Sequence, residues 1–108
     1  MNINPMGRIS VPTPGTPVPL STDPTATASK LFFQVIPGLT GKTYAGAPTM
    51  TKANLAGVAR VLWPNATGGF SETFYIEAQD GSNSIRLSEY AVDADVAGEG
   101  LLVTYWKE

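Results

Sequence analysis

The sequence predicts an all-β protein: a small antiparallel β-sandwich, jelly-roll-like, with an extended proline-rich N-terminal arm. Three observations predict this. Apolar and polar residues alternate in many short runs, as in strands with one buried face. Glycine and proline separate the runs at short intervals, which is typical of antiparallel sandwiches. The chain has 108 residues, 43% of them hydrophobic, a size that suits one hydrophobic core.

The N-terminal part of the chain is rich in proline. Five prolines lie at positions 12, 14, 17, 19 and 24. Proline lacks a backbone N–H and fixes φ, so this stretch favours an extended conformation over a helix or a central strand. We therefore expect residues 1–23 to form an extended arm and residues 24–108 to form a single sandwich domain. Two alternatives stay open: a disordered arm, or first strands of the domain from Arg8 to Leu20 with only residues 1–7 free.

Period-two alternation places the strands of the predicted domain. The first run, 31–35, ends at the turn dipeptide Pro37-Gly38, and the run 73–78 is followed by the tight-turn pair Asp80-Gly81. Gly98-Glu99-Gly100 is interpreted as the last turn. The predicted strands span residues 31–35, 43–46, 73–78, 85–87, 90–96 and 101–106.

The segment from residue 51 to 63 has two readings. Apolar residues at positions 55, 58, 59 and 62 follow the spacing of a helix. Gly57 weakens a helix, and Val58, Val61 and Trp63 suit a strand. We favour a strand from about Val58 to Trp63, preceded by a loop or one helical turn near residues 52–56.

The best-alternating strands define a predicted core. Its members share the consistently apolar face of their strands, and the opposite faces are more polar. The predicted core residues are Phe33, Val35, Phe74, Ile76, Val92, Val103 and Tyr105.

Composition argues against several functions. The chain has no cysteine and no histidine, which removes thiolate nucleophiles, Ser-His relays and the usual zinc ligands. Seven basic and nine acidic residues give a net charge of −2, so we expect no nucleic-acid partner. No apolar run approaches the ~20 residues of a membrane span, and the N-terminus does not resemble a secretory signal. We expect no enzyme, no cofactor, no metal and no membrane partner.

The segment from Asp93 to Gly98 begins like a calcium-binding loop. Carboxylates stand at its first and third positions and glycine at its sixth. Ala97 and Thr104 occupy two positions that need oxygen ligands, so the motif is incomplete. We interpret Asp93 and Asp95 as residues on the solvent face of a strand, where charge also discourages edge pairing.

Several segments together resemble small virion structural proteins of tailed bacteriophages. The first two are Gly7-Arg8-Ile9-Ser10-Val11 and Thr16-Pro17-Val18-Pro19-Leu20-Ser21. The apolar strand 31–36 and the hairpin segment Thr40-Gly41-Lys42-Thr43-Tyr44-Ala45-Gly46 follow the same pattern. The tail from Asp93 to Tyr105 resembles the last part of such proteins, where the final strand closes a β-sandwich.

The resemblance implies a capsid decoration (cement) protein, which stabilises the phage head by bridging capsid subunits. Its implied partners are the major capsid protein and further copies of itself, as a dimer or trimer. Its implied location is the outer surface of the virion capsid, after synthesis in the host cytoplasm. Two alternatives stay open: a tail, neck or baseplate component, or a carbohydrate-binding module for host attachment. The second would need an exposed platform drawn from Tyr44, Trp63, Tyr75 and Trp106.

An interface with the capsid or a sister subunit is expected along the N-terminal arm. Its apolar side chains are spaced among prolines that hold the arm extended, and docking such a segment costs little conformational entropy. An aromatic residue near the C-terminus is a further candidate anchor. The predicted interface residues are Ile3, Met6, Ile9, Val11, Val18, Leu20 and Trp106.

Overall fold

The structure is a computed structural model that describes residues 2–64, 72–79 and 82–108. It confirms the all-β prediction: the described residues form antiparallel strands and one short 3-10 helix at Leu87–Glu89. The strands are β1 (Asn2–Ser10), β2 (Val18–Pro19), β3 (Thr27–Ala28), β4 (Lys30–Val35), β5 (Thr43–Thr51), β6 (Ala56–Leu62), β7 (Thr73–Glu77), β8 (Ile85–Arg86), β9 (Ala91–Ala94) and β10 (Gly100–Lys107).

Two four-stranded sheets make up the sandwich. Sheet A has the order β1-β10-β4-β7, and sheet B has the order β2-β9-β5-β6. The strands β3 and β8 form a separate two-stranded ribbon, and their residues Ala28 and Ile85 are buried in the same core. Without that ribbon, the first strand pairs with the last, the second with the seventh, the third with the sixth and the fourth with the fifth. This nesting is the topology of a jelly roll, so the predicted antiparallel β-sandwich is confirmed.

The core lies between the two sheets and contains every residue of the predicted core. Phe33, Val35, Val92 and Val103 are buried, and the Phe33 ring stacks on that of Phe74 with the ring centroids 5.9 Å apart. The other three predicted core residues are half-buried against the same cluster. Strand alternation therefore predicted the inward faces correctly, because a period-two pattern on a half-buried sheet has only one register that buries its apolar set.

The N-terminal segment is part of the sandwich, which corrects the division of the chain at residue 23. Residues 2–10 are extended, as predicted, but they form β1 and pair with β10 along their length. Val11 and Leu20 are buried in the core, and Val18 pairs with Val92. The physical reason is that an edge strand tolerates proline, so a proline-rich composition does not distinguish an arm from an edge. The alternative with early strands inside the domain describes the structure better.

The turn between β9 and β10 holds β1 in place. Val11 N donates to the carbonyl of Glu99 (2.9 Å), and Gly98 N donates to the carbonyl of Val11 (2.8 Å). A β-carbon at Gly100 would lie 1.7 Å from the Ile9 carbonyl oxygen, so the two strands can approach this closely only with glycine there.

The Glu99 carboxylate in the same turn fastens the loop between β4 and β5. It accepts hydrogen bonds from Thr40 N, Thr40 Oγ1 and Gly41 N, each 3.0 Å long. Burial alone would raise the pKa of Glu99, but these hydrogen bonds outweigh burial and the pKa lies below its ordinary value. One turn therefore fixes both the first strand and the loop across the sandwich.

Asp93 is buried, which corrects its predicted place on a solvent-exposed face. Its side chain does point away from the core, but the turn Thr13-Pro14-Gly15-Thr16 covers it. Proline at the second position and Gly15 at φ +91° at the third are what a type II turn requires. Gly15 N donates to Asp93 Oδ1 (3.0 Å), and Ala94 N donates to the same oxygen (2.8 Å). The proline-rich segment thus folds over sheet B instead of leaving the domain.

Several predicted boundaries shift in the structure. The favoured strand in the ambiguous segment is confirmed as β6. A turn at residues 52–55, with Leu55 at φ 61°, precedes it, which agrees with the loop alternative. The predicted strand 43–46 continues to Thr51. The predicted strand 85–87 ends at Arg86 and gives way to the 3-10 helix. The predicted turn Asp80-Gly81 lies outside the described residues.

Truncation of Phe33 tests the register of β4. Phe33→Ala should lower the free energy of unfolding by about 3–5 kcal/mol through lost burial and a cavity, measured by denaturant unfolding. Phe32→Ala is the matched control, because Phe32 has the same chemistry, lies one position away and points out of the core. Its cost should be less than half as large. Equal costs for the two variants would contradict the register.

Candidate functional site

The side of sheet A that points away from the core is the candidate site. Strand register places its outward residues in three rows of four, each row crossing β1, β10, β4 and β7 in that order. A bulge at Met6 shifts β1, so Pro5 and Arg8 both point outward. We call these twelve residues the outer face of sheet A: Ile3, Trp106, Lys30 and Glu77; Pro5, Thr104, Phe32 and Tyr75; Arg8, Leu102, Gln34 and Thr73.

Half of the outer face of sheet A is apolar or aromatic. Ile3 is 62% exposed and Tyr75 46% exposed, which places both among the most exposed large hydrophobic residues of the described chain. Phe32, Leu102 and Trp106 are half-buried by their neighbours on the face. Singly exposed apolar residues are ordinary, but a contiguous group of this kind marks a surface for association.

The aromatic rings of the face are arranged at an angle. The rings of Phe32 and Trp106 are perpendicular, at 89°, with their centroids 6.4 Å apart. This edge-to-face geometry is favourable for an aromatic pair and fixes both side chains. The Tyr75 hydroxyl donates to the Glu77 carboxylate, and this hydrogen bond raises the pKa of Tyr75. The face therefore presents pre-ordered side chains.

The outer face of sheet A carries little net charge. It holds Arg8 and Lys30, two of the seven basic residues of the chain, and Glu77, one of the nine acidic residues. The Arg8 guanidinium donates through Nη2 to the carbonyl of Gly98 (2.8 Å), which holds it at one end of the face. A near-neutral surface that is half apolar, with its charged residues only in the two outer rows, resembles the composition of protein interfaces.

The structure brings two of the seven predicted interface residues together. Ile3 and Trp106 face each other in the β1–β10 register and both lie on the outer face of sheet A. The interface prediction is wrong for Val11 and Leu20, because both side chains are buried in the domain's own core. The remaining three pack against that core while half-buried: Met6, Ile9 and Val18.

Sequence reasoning did not identify most of the face. Alternation along β4 and β7 does place Phe32 and Tyr75 opposite the predicted core residues, which was the available signal. The neighbours of these residues on β10 and β1 depend on the pairing of strands that are far apart in sequence, which alternation does not give.

The four aromatic residues proposed as a sugar-binding platform are not on one surface. Tyr44 is buried. Trp63 follows β6, with the Lys42 ammonium 4.9 Å from its ring centroid. Only Tyr75 and Trp106 share the outer face of sheet A, and they are separated by β4.

A cluster of polar residues lies on the outer side of sheet B, the other sheet of the sandwich. The Tyr44 hydroxyl donates to Asp95 Oδ1 (2.9 Å), and the Lys52 ammonium donates to the same oxygen (3.3 Å) and to the Ala94 carbonyl (3.1 Å). Burial first, and then the hydrogen bond to Asp95, raise the pKa of Tyr44 to about 12. Protein donors thus occupy one oxygen of Asp95 and one of Asp93, the two carboxylates of the calcium-like motif.

The described residues contain no group of three or more potential metal ligands, no pocket, and no helix long and apolar enough to span a membrane. No protein-family model, curated protein or solved structure matches the chain.

Removal of the Tyr44 hydroxyl should change the alkaline stability of the protein. The pKa of Tyr44 rises from an ordinary value of 10.0 to about 12 on folding, so its contribution to stability is complete below pH 10 and is lost as pH approaches 12. Tyr44→Phe should cost about 1 kcal/mol near neutral pH, measured by denaturant unfolding. The difference from the wild type should shrink above pH 10. A difference that does not change with pH would contradict the hydrogen bond to Asp95.

Proposed function

We propose that this protein is a virion structural protein of the capsid decoration type, which binds the outside of a phage head and bridges neighbouring capsid subunits. The observation that carries the proposal is the outer face of sheet A, a surface on a small domain in which half of the residues are apolar or aromatic. Such a surface serves association. The sequence resemblance to small virion proteins of tailed bacteriophages supplies the class of assembly.

The jelly-roll topology supports the proposal as an analogy. Jelly rolls occur in viral capsid proteins, in lectins and in cupins. Fold alone does not assign function, so the choice among these classes has to be argued from the geometry and chemistry of the site. An apolar face without a concave pocket among the described residues favours a protein surface over a small ligand.

The geometry of the aromatic residues favours protein docking over sugar binding. A sugar ring stacks on an aromatic ring that lies flat on the surface, and a glycan chain needs several such rings in one plane. Phe32 and Trp106 are perpendicular to each other, so the two cannot form one flat platform. Titration with simple hexoses and their oligomers, followed by tryptophan fluorescence, should leave the emission of Trp106 and Trp63 unchanged.

A deletion at the N-terminus would not be a clean test of the proposal. Removal of residues 1–7 would take away most of β1 and expose the edge of β10, so the variant should be destabilised. Loss of capsid binding by that variant would not distinguish an anchor from a fold defect. Substitutions on the exposed side of β1 are therefore the better probes.

The abundance of the protein in virions tests the proposal. A decoration protein repeats over the capsid lattice, so quantitative mass spectrometry of purified virions of the phage that encodes it should find a copy number comparable to that of the major capsid protein. A tail, neck or baseplate component would be present in far fewer copies. Absence of the protein from the particle, or a copy number far below that of the major capsid protein, would contradict the decoration role.

A further inference from the structure

We propose that the tip of the β5–β6 hairpin is a second docking element, in which Leu55 inserts into an apolar pocket on the protein surface that the domain binds. The tip consists of the turn residues 52–55, which lie between the paired residues Thr51 and Ala56. This inference rests on the proposed function, which supplies the capsid as the partner. It adds a contact that is separate from the outer face of sheet A, because β5 and β6 belong to sheet B.

Leu55 has a backbone conformation that leucine avoids. Its φ is 61°, and no other non-glycine residue in the described part of the chain has a positive φ. In this left-handed region the β-carbon crowds the following carbonyl oxygen, so glycine and asparagine are the usual occupants. A leucine at this position therefore makes the free energy of folding less favourable than an asparagine would.

The side chain of Leu55 gains little from the domain in return. It is 51% exposed, and it belongs to neither of the two apolar clusters of the described residues. A single exposed apolar residue is ordinary, but one that is also held in a strained conformation points to a role outside its own domain.

Hydrogen bonds on both sides of Leu55 hold the tip in one conformation. Asn54 Oδ1 accepts from Ala56 N (3.1 Å) and from the Thr51 hydroxyl. Val58 N donates to the carbonyl of Leu55 itself (3.3 Å). A strained residue persists only where its surroundings fix it in this way. A side chain on such a pre-ordered turn loses little conformational entropy when it docks.

The base of the hairpin is anchored to the outer side of sheet B. Met50 is buried in a small apolar cluster with Tyr44. The Lys52 ammonium donates to the Ala94 carbonyl (3.1 Å) and to Asp95 Oδ1 (3.3 Å). The charge of the tip is therefore paired with the domain, and the tip itself presents no free charge.

The composition of the tip determines the kind of partner that it fits. Lys52 is the one charged residue between positions 43 and 59, so docking of the tip removes no unpaired charge from water. Ala53 and Ala56 are exposed and small, which leaves Leu55 as the largest apolar side chain of the tip. One leucine between small neighbours fits a pocket of leucine size on a protein. Binding to a lipid surface favours a broad apolar face flanked by basic residues, which the tip lacks.

A second contact gives the bridging role a physical basis. A protein that joins two capsid subunits needs two separate contact surfaces on one domain. The outer face of sheet A supplies one of them, and the tip of the β5–β6 hairpin supplies the other from the opposite sheet of the sandwich. Two linked contacts also hold the domain more tightly than either contact alone.

Thermal unfolding tests whether Leu55 is kept at a cost to stability. Leu55→Asn introduces a residue that tolerates a positive φ and removes the apolar side chain. The melting temperature should rise by about 3–6 °C as the strain is relieved. The matched control is Val96→Asn, at a 38% exposed apolar residue in the β9–β10 turn that has no positive φ, and it should not raise the melting temperature. A lower melting temperature for Leu55→Asn than for the wild type would overturn the proposal.

Capsid binding tests the docking role itself. Capsids of the phage that encodes the chain, assembled without this protein, are sedimented with increasing concentrations of each variant. Leu55→Asn should raise the dissociation constant about tenfold, although it is the more stable protein. Leu55→Met keeps an apolar side chain of similar volume and should stay within about threefold of the wild type. Val96→Asn should bind as the wild type does.

The outcomes distinguish this inference from the proposed function. Wild-type binding that Leu55→Asn leaves unchanged overturns the docking role of the tip and leaves the decoration role intact. A wild-type protein that does not bind the capsids contradicts the decoration role, and the tip then has no capsid partner. Sedimentation with phosphatidylcholine vesicles that depends on Leu55 would also overturn the proposal, because the occupant would then be a lipid and not a protein pocket.

Discussion

The pairing of the first strand with the last is the contact on which the rest of the molecule depends. β1 and β10 are separated by almost the whole chain, and the pair closes the jelly roll. The approach is so close at Gly100 that a β-carbon there would meet the Ile9 carbonyl oxygen. The hydrogen bonds between Val11 and the β9–β10 turn continue the ladder to the point where the chain crosses towards sheet B. Closing a loop of this length has an entropic cost, which the hydrogen bonds and packing of the β1–β10 pair must offset.

The same pairing builds the candidate site. β10 lies between β1 and β4, and only this order places Ile3, Trp106 and Phe32 on one surface. The outer face of sheet A would lose a quarter of its residues without β1, together with its most exposed apolar side chain. The proposed association function and the integrity of the sandwich therefore rest on one set of hydrogen bonds. The segment that the sequence predicts to be a separate arm is an edge strand of the domain.

Alternation predicted the parts of the fold that are governed by burial within one strand. The inward faces of β4, β7 and β10 follow directly from it, as the places of Phe33, Phe74 and Val103 show. It could not predict which strands are neighbours, and therefore could not assemble the outer face from residues 3, 32, 75, 102 and 106. Asp93 was misplaced for a related reason. Its side chain points outward as its parity requires, but a turn from the other end of the chain covers it.

Hydrogen exchange of the backbone amides of residues 8–11 tests the central claim most directly. If β1 is an integral strand, the amides that its pairing with β10 protects, including Val11 N, should exchange about as slowly as protected amides of β10 itself. The expected rates agree within about tenfold, since one cooperative unit opens as a whole. Exchange of residues 8–11 at nearly the rate of an unfolded chain, with β10 still protected, would contradict the account and restore a free N-terminal arm.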